Sequence, residues 1–298
     1  MYFDATGKVS FDHIYVQPDP RAYFSTLREL DYRIPQLAKP YFMKLIQEYR
    51  KSQKILAPNV LDIGCSYGIN AALLKYDATM DELYERYCGR GARAQTRTAL
   101  LTRDRELTCS RNRLGSVRFV GLDISRPALS YALLAGFIDG AVHADLEKRE
   151  FTQRQRDQVA GTDLVISTGC LGYVSDKTIL QVVNANGERK PWMAHFVLRM
   201  FPFEPVAEGL AGLGYDTVRH ERAFKQRRFA SPEEQSLVLD TLSAVGADPR
   251  GLEADGWLYA QLYISRPRGN EGRVVVDLAT NQASPRSKPP RSRIKIEQ

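Results

Sequence analysis

An α/β fold, a doubly wound sheet with helices on both faces, is predicted by three observations. Short apolar runs recur along the chain with room for a helix between successive runs. Several of them end in an acid or in small residues, followed by a helix-start signal. The clearest, Asn59-Val60-Leu61-Asp62-Ile63-Gly64-Cys65-Ser66-Tyr67-Gly68, reads as a buried strand, a glycine turn and the start of a helix.

The elements follow in chain order. Phe11 to Tyr49 is rich in aromatics, among them Tyr15, Tyr23, Tyr32 and Phe42, and in prolines; residues 1–50 read as a helical cap or lid. The first strand then carries Asp62, and its turn carries Gly64, Cys65, Ser66 and Gly68. Residues 77–114 are a basic insertion with helix-compatible patterns at Asp81–Tyr87 and Ala94–Leu101. Its arginines either form a solvated face paired with nearby acids or recognise an acidic partner.

Val117–Asp123 is a second strand ending in an acid, with Ile124, Ser125 and Pro127 opening a helix. Gly140–Asp145 is a shorter strand followed by Leu146. Asp163–Thr168 is a fourth, running into Gly169 and Cys170. Ala194–Phe201 is a fifth, with a helix over Glu204–Ala211; Tyr215–Phe224 and Gly256–Ile264 complete the set. Ser231 and Pro232 open one further helix. From residue 267 the chain loses aromatics and gains Pro, Ser, Arg and Lys, a disordered composition apart from the strand-like Val274–Leu278.

Composition bounds the function. The 298 residues carry 43% hydrophobic residues and a formal net charge of +7, enough for a large core and basic overall. Part of that charge belongs to the tail, which weakens it as a sign of a nucleic-acid groove. No run is long enough to cross a bilayer, and there is no cationic-then-apolar leader, so a cytoplasmic location is expected. Four scattered cysteines and four histidines show no ligand spacing, so no metal is expected.

The spacing Asp62-x-Gly64-x-x-x-Gly68 is unlike the Gly-x-Gly-x-x-Gly of nicotinamide-binding folds, whose acid lies about 20 residues further on. It resembles motif I of the class I S-adenosylmethionine-dependent methyltransferases, with Ser66 in place of the middle glycine. Asp123, Asp145 and the small-residue turn at Thr168–Cys170 recur in the family's order. The resemblance implies a Rossmann-like seven-stranded sheet, order 3-2-1-4-5-7-6, with strand 7 antiparallel. It implies S-adenosylmethionine as cofactor and S-adenosylhomocysteine as product. The implied binding residues are Asp62, Gly64, Cys65, Ser66 and Gly68 at the first turn. Asp123 and Ile124 follow at the ribose, Asp145 and Leu146 at the adenine, and Thr168, Gly169 and Cys170 near the sulfonium. Ser66 fits the turn if it keeps negative φ.

His195 and Tyr173 are the candidates for a base. Tyr15, Tyr23, Tyr32 and Tyr173 are the candidates for acceptor contacts. The family's Asn/Asp-Pro-Pro-Tyr motif is absent, Ser167-Thr168-Gly169-Cys170 standing in its place, which points away from nucleobases. The expected function is methyl transfer to an O, N or C atom of a small, polar or anionic molecule. An RNA methyltransferase guided by the basic insertion, and a cofactor-binding regulatory protein without catalysis, stand as alternatives. No feature of the sequence sets an oligomeric state.

Overall fold

The computed structural model describes residues 2–4 and 6–269. Seven apolar runs become strands: β1 (Asn59–Ile63), β2 (Arg118–Asp123), β3 (Gly140–His143), β4 (Leu164–Thr168), β5 (Trp192–Leu198), β6 (Tyr215–Arg228) and β7 (Trp257–Pro267). They pair in the order β3-β2-β1-β4-β5-β7-β6. β1 to β5 are parallel, and β7 runs antiparallel between β5 and β6. This is the sheet the resemblance implies.

Eleven helices surround the sheet among the described residues. Before β1 come α1 (Asp12–Tyr15), α2 (Arg21–Glu29) and α3 (Ile34–Gln53). After it come α4 (Ile69–Lys75), α5 (Met80–Cys88) and α6 (Arg97–Ser110). Then follow α7 (Arg126–Ala135), α8 (Gln153–Val159), α9 (Asp176–Ala185), α10 (Glu204–Gly212) and α11 (Pro232–Ala244). Their starts are written in the sequence. Thr79 and Glu82 form a reciprocal cap on α5, and Ser125 and Ser231 each accept an amide three residues on.

Alternation along each strand divides the core into two layers. Val60, Phe119, Ile166 and Phe196 face α3 and α7, meeting Phe42, Leu45, Ile46 and Leu129. Leu61, Ile63, Val120, Val165 and Val197 face α9 and α10, meeting Ile179, Val182, Val206 and Leu210. A third cluster joins the amino-terminal helices to the insertion through Tyr23, Phe24, Tyr67, Leu83, Tyr87 and Leu100.

Several expectations change in extent: β3 stops at His143, short of Asp145, and β5 covers Trp192–Leu198 instead of Ala194–Phe201. The second insertion helix covers Arg97–Ser110 instead of Ala94–Leu101, because Thr96 caps it from its own hydroxyl. β6 continues past Phe224 to Arg228, through two register shifts against β7 that break the alternation. β7 runs through Pro267 instead of stopping at Ile264. Val274–Leu278, and all of residues 270–298, lie outside the described residues.

Candidate functional site

The turn after β1 is fixed by its neighbours. Gly64 has φ of 67°, its amide donates to the Leu122 carbonyl at 2.8 Å, and a Cβ there would stand 2.6 Å from Cys170 Cβ. Only glycine meets both conditions. Gly68, with φ of 78°, ends the turn and opens α4. Ser66 departs from expectation: its φ is 49°, not negative. The Ser66 amide donates to Asp123 Oδ2 at 2.8 Å, and the left-handed backbone is what turns that N–H toward β2. Cys65 is buried with its Sγ on the peptide of Gly121, where a Cβ would stand 2.4 Å from it.

Asp62 is fully buried at the head of a hydrogen-bonded chain. Its Oδ1 accepts from Asn70 Nδ2 at 3.0 Å, and the same amide donates to Thr168 Oγ1 at 3.2 Å. Tyr32, in ring contact with Tyr23, lies on the Thr168 side of this group. Asp62 Oδ2, Asn70 Oδ1 and Ser66 Oγ are buried without a partner. Burial pushes the Asp62 carboxyl up to about 7, with the Asp123 charge adding to the effect. Unused acceptors of this kind, one of them on the acid itself, suit a cation with several N–H donors, such as an ammonium group.

Asp123 ends β2 with Oδ1 on the Ser125 amide at 2.7 Å and Oδ2 on that of Ser66. Burial raises its pKa, opposed by these amide hydrogen bonds. Each oxygen keeps acceptor capacity, enough for two vicinal hydroxyls. Beside it Ile124 is 68% exposed, an apolar surface at a polar edge. His143 Nε2 meets the Ile124 carbonyl at 3.0 Å. Asp145 lies beyond β3 with Lys148 at 3.0 Å, and that hydrogen bond holds its carboxyl below the usual range. Leu146 is buried in the core, so only its backbone faces the edge.

The turn after β4 brings Thr168, Gly169 and Cys170 to the same edge. Gly169 has φ of 72°, and a Cβ there would stand 2.7 Å from the buried Gln226 amide, whose Oε1 has no partner. Cys170 Sγ donates to the Ile63 carbonyl at 3.2 Å, and burial pushes the thiol up to about 12, which leaves no thiolate.

The two base candidates fare differently. His195 is fully buried inside the sheet, Nδ1 against Ser167 Oγ at 2.8 Å and the ring beside Phe203; burial drives its pKa to about 3. In register it lies level with Ile63 and Ser167, one residue short of Thr168, so its burial and not its distance keeps it from a reacting group. Tyr173 is half exposed, its hydroxyl donating to Asp4 Oδ2 at 2.5 Å and accepting from Lys8 Nζ at 3.0 Å.

The amino-terminal segment crosses this edge. Tyr67 donates its hydroxyl to the Ile14 and Gln17 carbonyls at 3.0 Å each, and Ser125 donates to the Tyr15 carbonyl. The turns after β1 and β2 thus both hold the same stretch of chain. Tyr15, Tyr23 and Tyr32 come with it: Tyr23 meets Tyr15 and Tyr32 edge to face at 5.7 and 6.3 Å. All three predicted tyrosines lie together on the cap.

Asn70, Gln226, Lys8 and Arg227 were not singled out by the sequence reading. For Asn70 a signal existed, one amide in the apolar run Ile69–Leu74; Gln226, Lys8 and Arg227 are brought in by distant segments. Several insertion arginines are locally satisfied, Arg111 by Glu82, Arg113 by Asp77, Arg97 by the Pro18 carbonyl and Arg105 by that of Leu134. Among the described residues no cluster of three or more His, Cys, Asp and Glu side chains is placed to hold a metal ion, and no helix is long and apolar enough to cross a membrane.

No protein-family model and no curated protein matches the chain. Solved structures similar to it include the plantazolicin methyltransferase BpumL in complex with SAH, at 12% identity and TM-score 0.41, covering 89% of this chain and 95% of that one. A SAM-dependent methyltransferase from Aquifex aeolicus is 10% identical at TM-score 0.36, covering 86% and 99%. The magnesium protoporphyrin IX methyltransferase ChlM from Synechocystis PCC 6803, with bound SAM, is 10% identical at 0.33, covering 76% and 79%.

Proposed function

We propose that this chain is an S-adenosylmethionine-dependent methyltransferase acting on a small-molecule acceptor. The observation that carries the reading is the trio of orphaned acceptors, Asp62 Oδ2, Asn70 Oδ1 and Ser66 Oγ, next to Asp123 at one strand edge. Together they match a ligand with an ammonium group at one end and a vicinal diol further along. Asp62, Asn70 and Ser66 hold the ammonium, and Asp123 accepts from the diol. Ile124 offers a planar base its apolar face, with Asp145 to select an amino group and the Leu146 backbone alongside.

When bound, the cofactor supplies a methyl group already activated on a sulfonium, so the protein's contribution is alignment and exclusion of water. Thr168, Gly169 and Cys170 border that centre, and the cap tyrosines Tyr15, Tyr23 and Tyr32 close it from solvent. Cys170, protonated at neutral pH, lines the site without acting as a nucleophile. A base is needed only where the acceptor must lose a proton, and His195 is sealed inside the sheet.

Binding without turnover is the second reading, favoured by the sealing of His195 and by the engagement of the Tyr173 hydroxyl with Asp4. Calorimetric titration with S-adenosylhomocysteine, with an Asp123→Ala variant and NAD as controls, tests the cofactor assignment. Micromolar binding lost in the variant and absent for NAD supports it. A folded protein that binds neither S-adenosylmethionine nor its product overturns it. An acceptor screen with labelled methyl donor then separates turnover from binding alone.

A further inference from the structure

A bulge near the end of β6 carries one amide to the turn after β4. Lys225 pairs with Tyr259 and Arg227 with Leu258, so Gln226 between them is an extra residue with no counterpart on β7. It is 6% exposed, and its Oε1 is buried without a hydrogen-bond partner. A buried amide oxygen left without a donor destabilises the free protein, so a ligand that brings an N–H or O–H is favoured there.

The surroundings of this amide belong to the site. Gly169 has φ of 72°, and a Cβ on it would stand 2.7 Å from Gln226 Nε2 and 3.5 Å from Cδ, so the bare glycine is what lets the amide lie against the turn. One residue earlier, Thr168 Oγ1 accepts from the same Asn70 amide that donates to Asp62. A short run of contacts therefore joins Gln226 to the buried acid. From the other side, the Gln226 carbonyl accepts the Arg33 amide at 2.9 Å, next to Tyr32, whose ring meets Tyr23. Gln226 is thus held between the β4 turn and the cap.

The ionisable groups of this turn are poor bases. Burial pushes the Cys170 thiol up to about 12, which keeps it protonated, and drives His195 to about 3 inside the sheet. Asp62 faces the ammonium in the cofactor reading, and a glutamine amide takes up no proton.

We propose that Gln226 is an acceptor-binding residue whose Oε1 takes a hydrogen bond from an N–H of the methyl acceptor, and that the acceptor is a neutral amine. The proposal rests on the reading in which the β4 turn borders the methyl donor. An amine attacks with a lone pair it already has, whereas a hydroxyl must shed its proton as it reacts. The nitrogen forms the new N–C bond as the carbon–sulfur bond breaks with its electron pair left on sulfur, and the methylated ammonium then gives its proton to water. Holding one N–H on Gln226 leaves the lone pair free to point at the methyl carbon. A carbon acceptor brings no donor for Oε1.

The test uses the full chain and compares S-adenosylhomocysteine with sinefungin, in which a carbon bearing an amine replaces the sulfur and its methyl. That amine puts N–H donors where the methyl group would lie, so sinefungin is expected to bind about tenfold more tightly or better. Gln226→Leu and Gln226→Met should each remove the advantage and leave the S-adenosylhomocysteine affinity unchanged, while Gln226→Glu, which keeps an acceptor oxygen, retains it. No advantage in the parent, or one that survives both apolar variants, overturns the assignment. Equal loss of both ligands in both variants overturns it too, because that is what a structural role predicts. Failure of the parent to bind either compound refutes the cofactor reading instead. Labelled methyl transfer to benzylamine, aniline and N-methylaniline, against benzyl alcohol and phenol, tests the acceptor class. Label on an amine, reduced about tenfold or more by Gln226→Leu, supports it. Label on oxygen, or on none of the amines, overturns the amine assignment.

Discussion

The Asp123 carboxylate accepts the Ser66 amide at 2.8 Å, so the acid that ends β2 holds the turn that ends β1. Its other oxygen holds the Ser125 amide at 2.7 Å, ahead of α7. One side chain therefore shapes the turn and, in the proposed function, also meets the ligand. Asp123→Asn and Asp123→Ala should separate the two roles. The asparagine keeps one acceptor of the two and strands one amide, so it is expected to lose about 1–3 kcal/mol of stability while weakening S-adenosylhomocysteine 10- to 100-fold (about 1.5–3 kcal/mol). The alanine loses the affinity and also about 1–3 kcal/mol of stability for each stranded buried amide. Parent-like affinity in the asparagine variant would mean that no diol is read there.

Ser66 sits at φ of 49° with a buried, unpartnered Oγ; the amide hydrogen bond to Asp123 offsets the first cost, but glycine would make that bond without the strain. Ser66→Gly removes both. The variant should gain about 1–2 kcal/mol in denaturant unfolding and bind S-adenosylhomocysteine less tightly. A less stable glycine variant would show that the serine conformation is supported elsewhere in the turn.

Asp62 has a folded pKa of about 7 against 3.8 for the free group. Raised in the fold, the carboxyl favours the native state most at low pH, and the advantage is lost as pH rises from 3.8 through 7. Asp62→Asn should therefore stabilise the free protein at pH 8, by up to about 4 kcal/mol. Binding runs the other way. An ammonium ligand prefers the ionised acid, so affinity should climb up to pH 7 and fall again above about 8 as the ligand amine deprotonates. Calorimetry between pH 5 and 9 reads this bell, and a flat profile would separate Asp62 from the ligand.

His195 works in the opposite sense. Its folded pKa of about 3 lies below the free value of 6.5, so the unfolded chain takes up a proton that the fold refuses as pH drops. Between pH 6.5 and 4 this amounts to about 3 kcal/mol of lost stability. His195→Gln should flatten that part of the denaturation profile. Identical profiles would show that the imidazole is reached by water before unfolding.

The sheet was legible because its signals are local. Asp62 and Asp123 announce strand ends by interrupting apolar runs, and Ser125 and Ser231 announce helices by their place before proline-containing first turns. What escaped was long-range. The Ser66 backbone is dictated by an acceptor on another strand, 57 residues away. Asp104 looks like one more solvent-facing acid among arginines, yet it is fully buried and accepts the hydroxyls of Tyr87 and Tyr131 at 2.6 Å each. The end of β6 is crowded with charge, and nothing local says that Gln226 and Arg227 turn inward while Arg228 stays out.

The cap also has an order of assembly written into it. Phe24 stacks on Tyr87 at 4.7 Å, a partner made early in synthesis. The other side of the cap waits: Arg33 donates its amide to the Gln226 carbonyl, Asp31 pairs with Arg228 across 197 residues, and Glu48 pairs with Arg266 across 218. At about 5–20 residues per second, those partners leave the ribosome about 10–40 s after the helices that need them. During that interval the turns after β1 and β2 can form while the roof above them hangs by one side. The last strands to be made, β6 and β7, are thus the ones whose arginines fasten the far side of the amino-terminal helices.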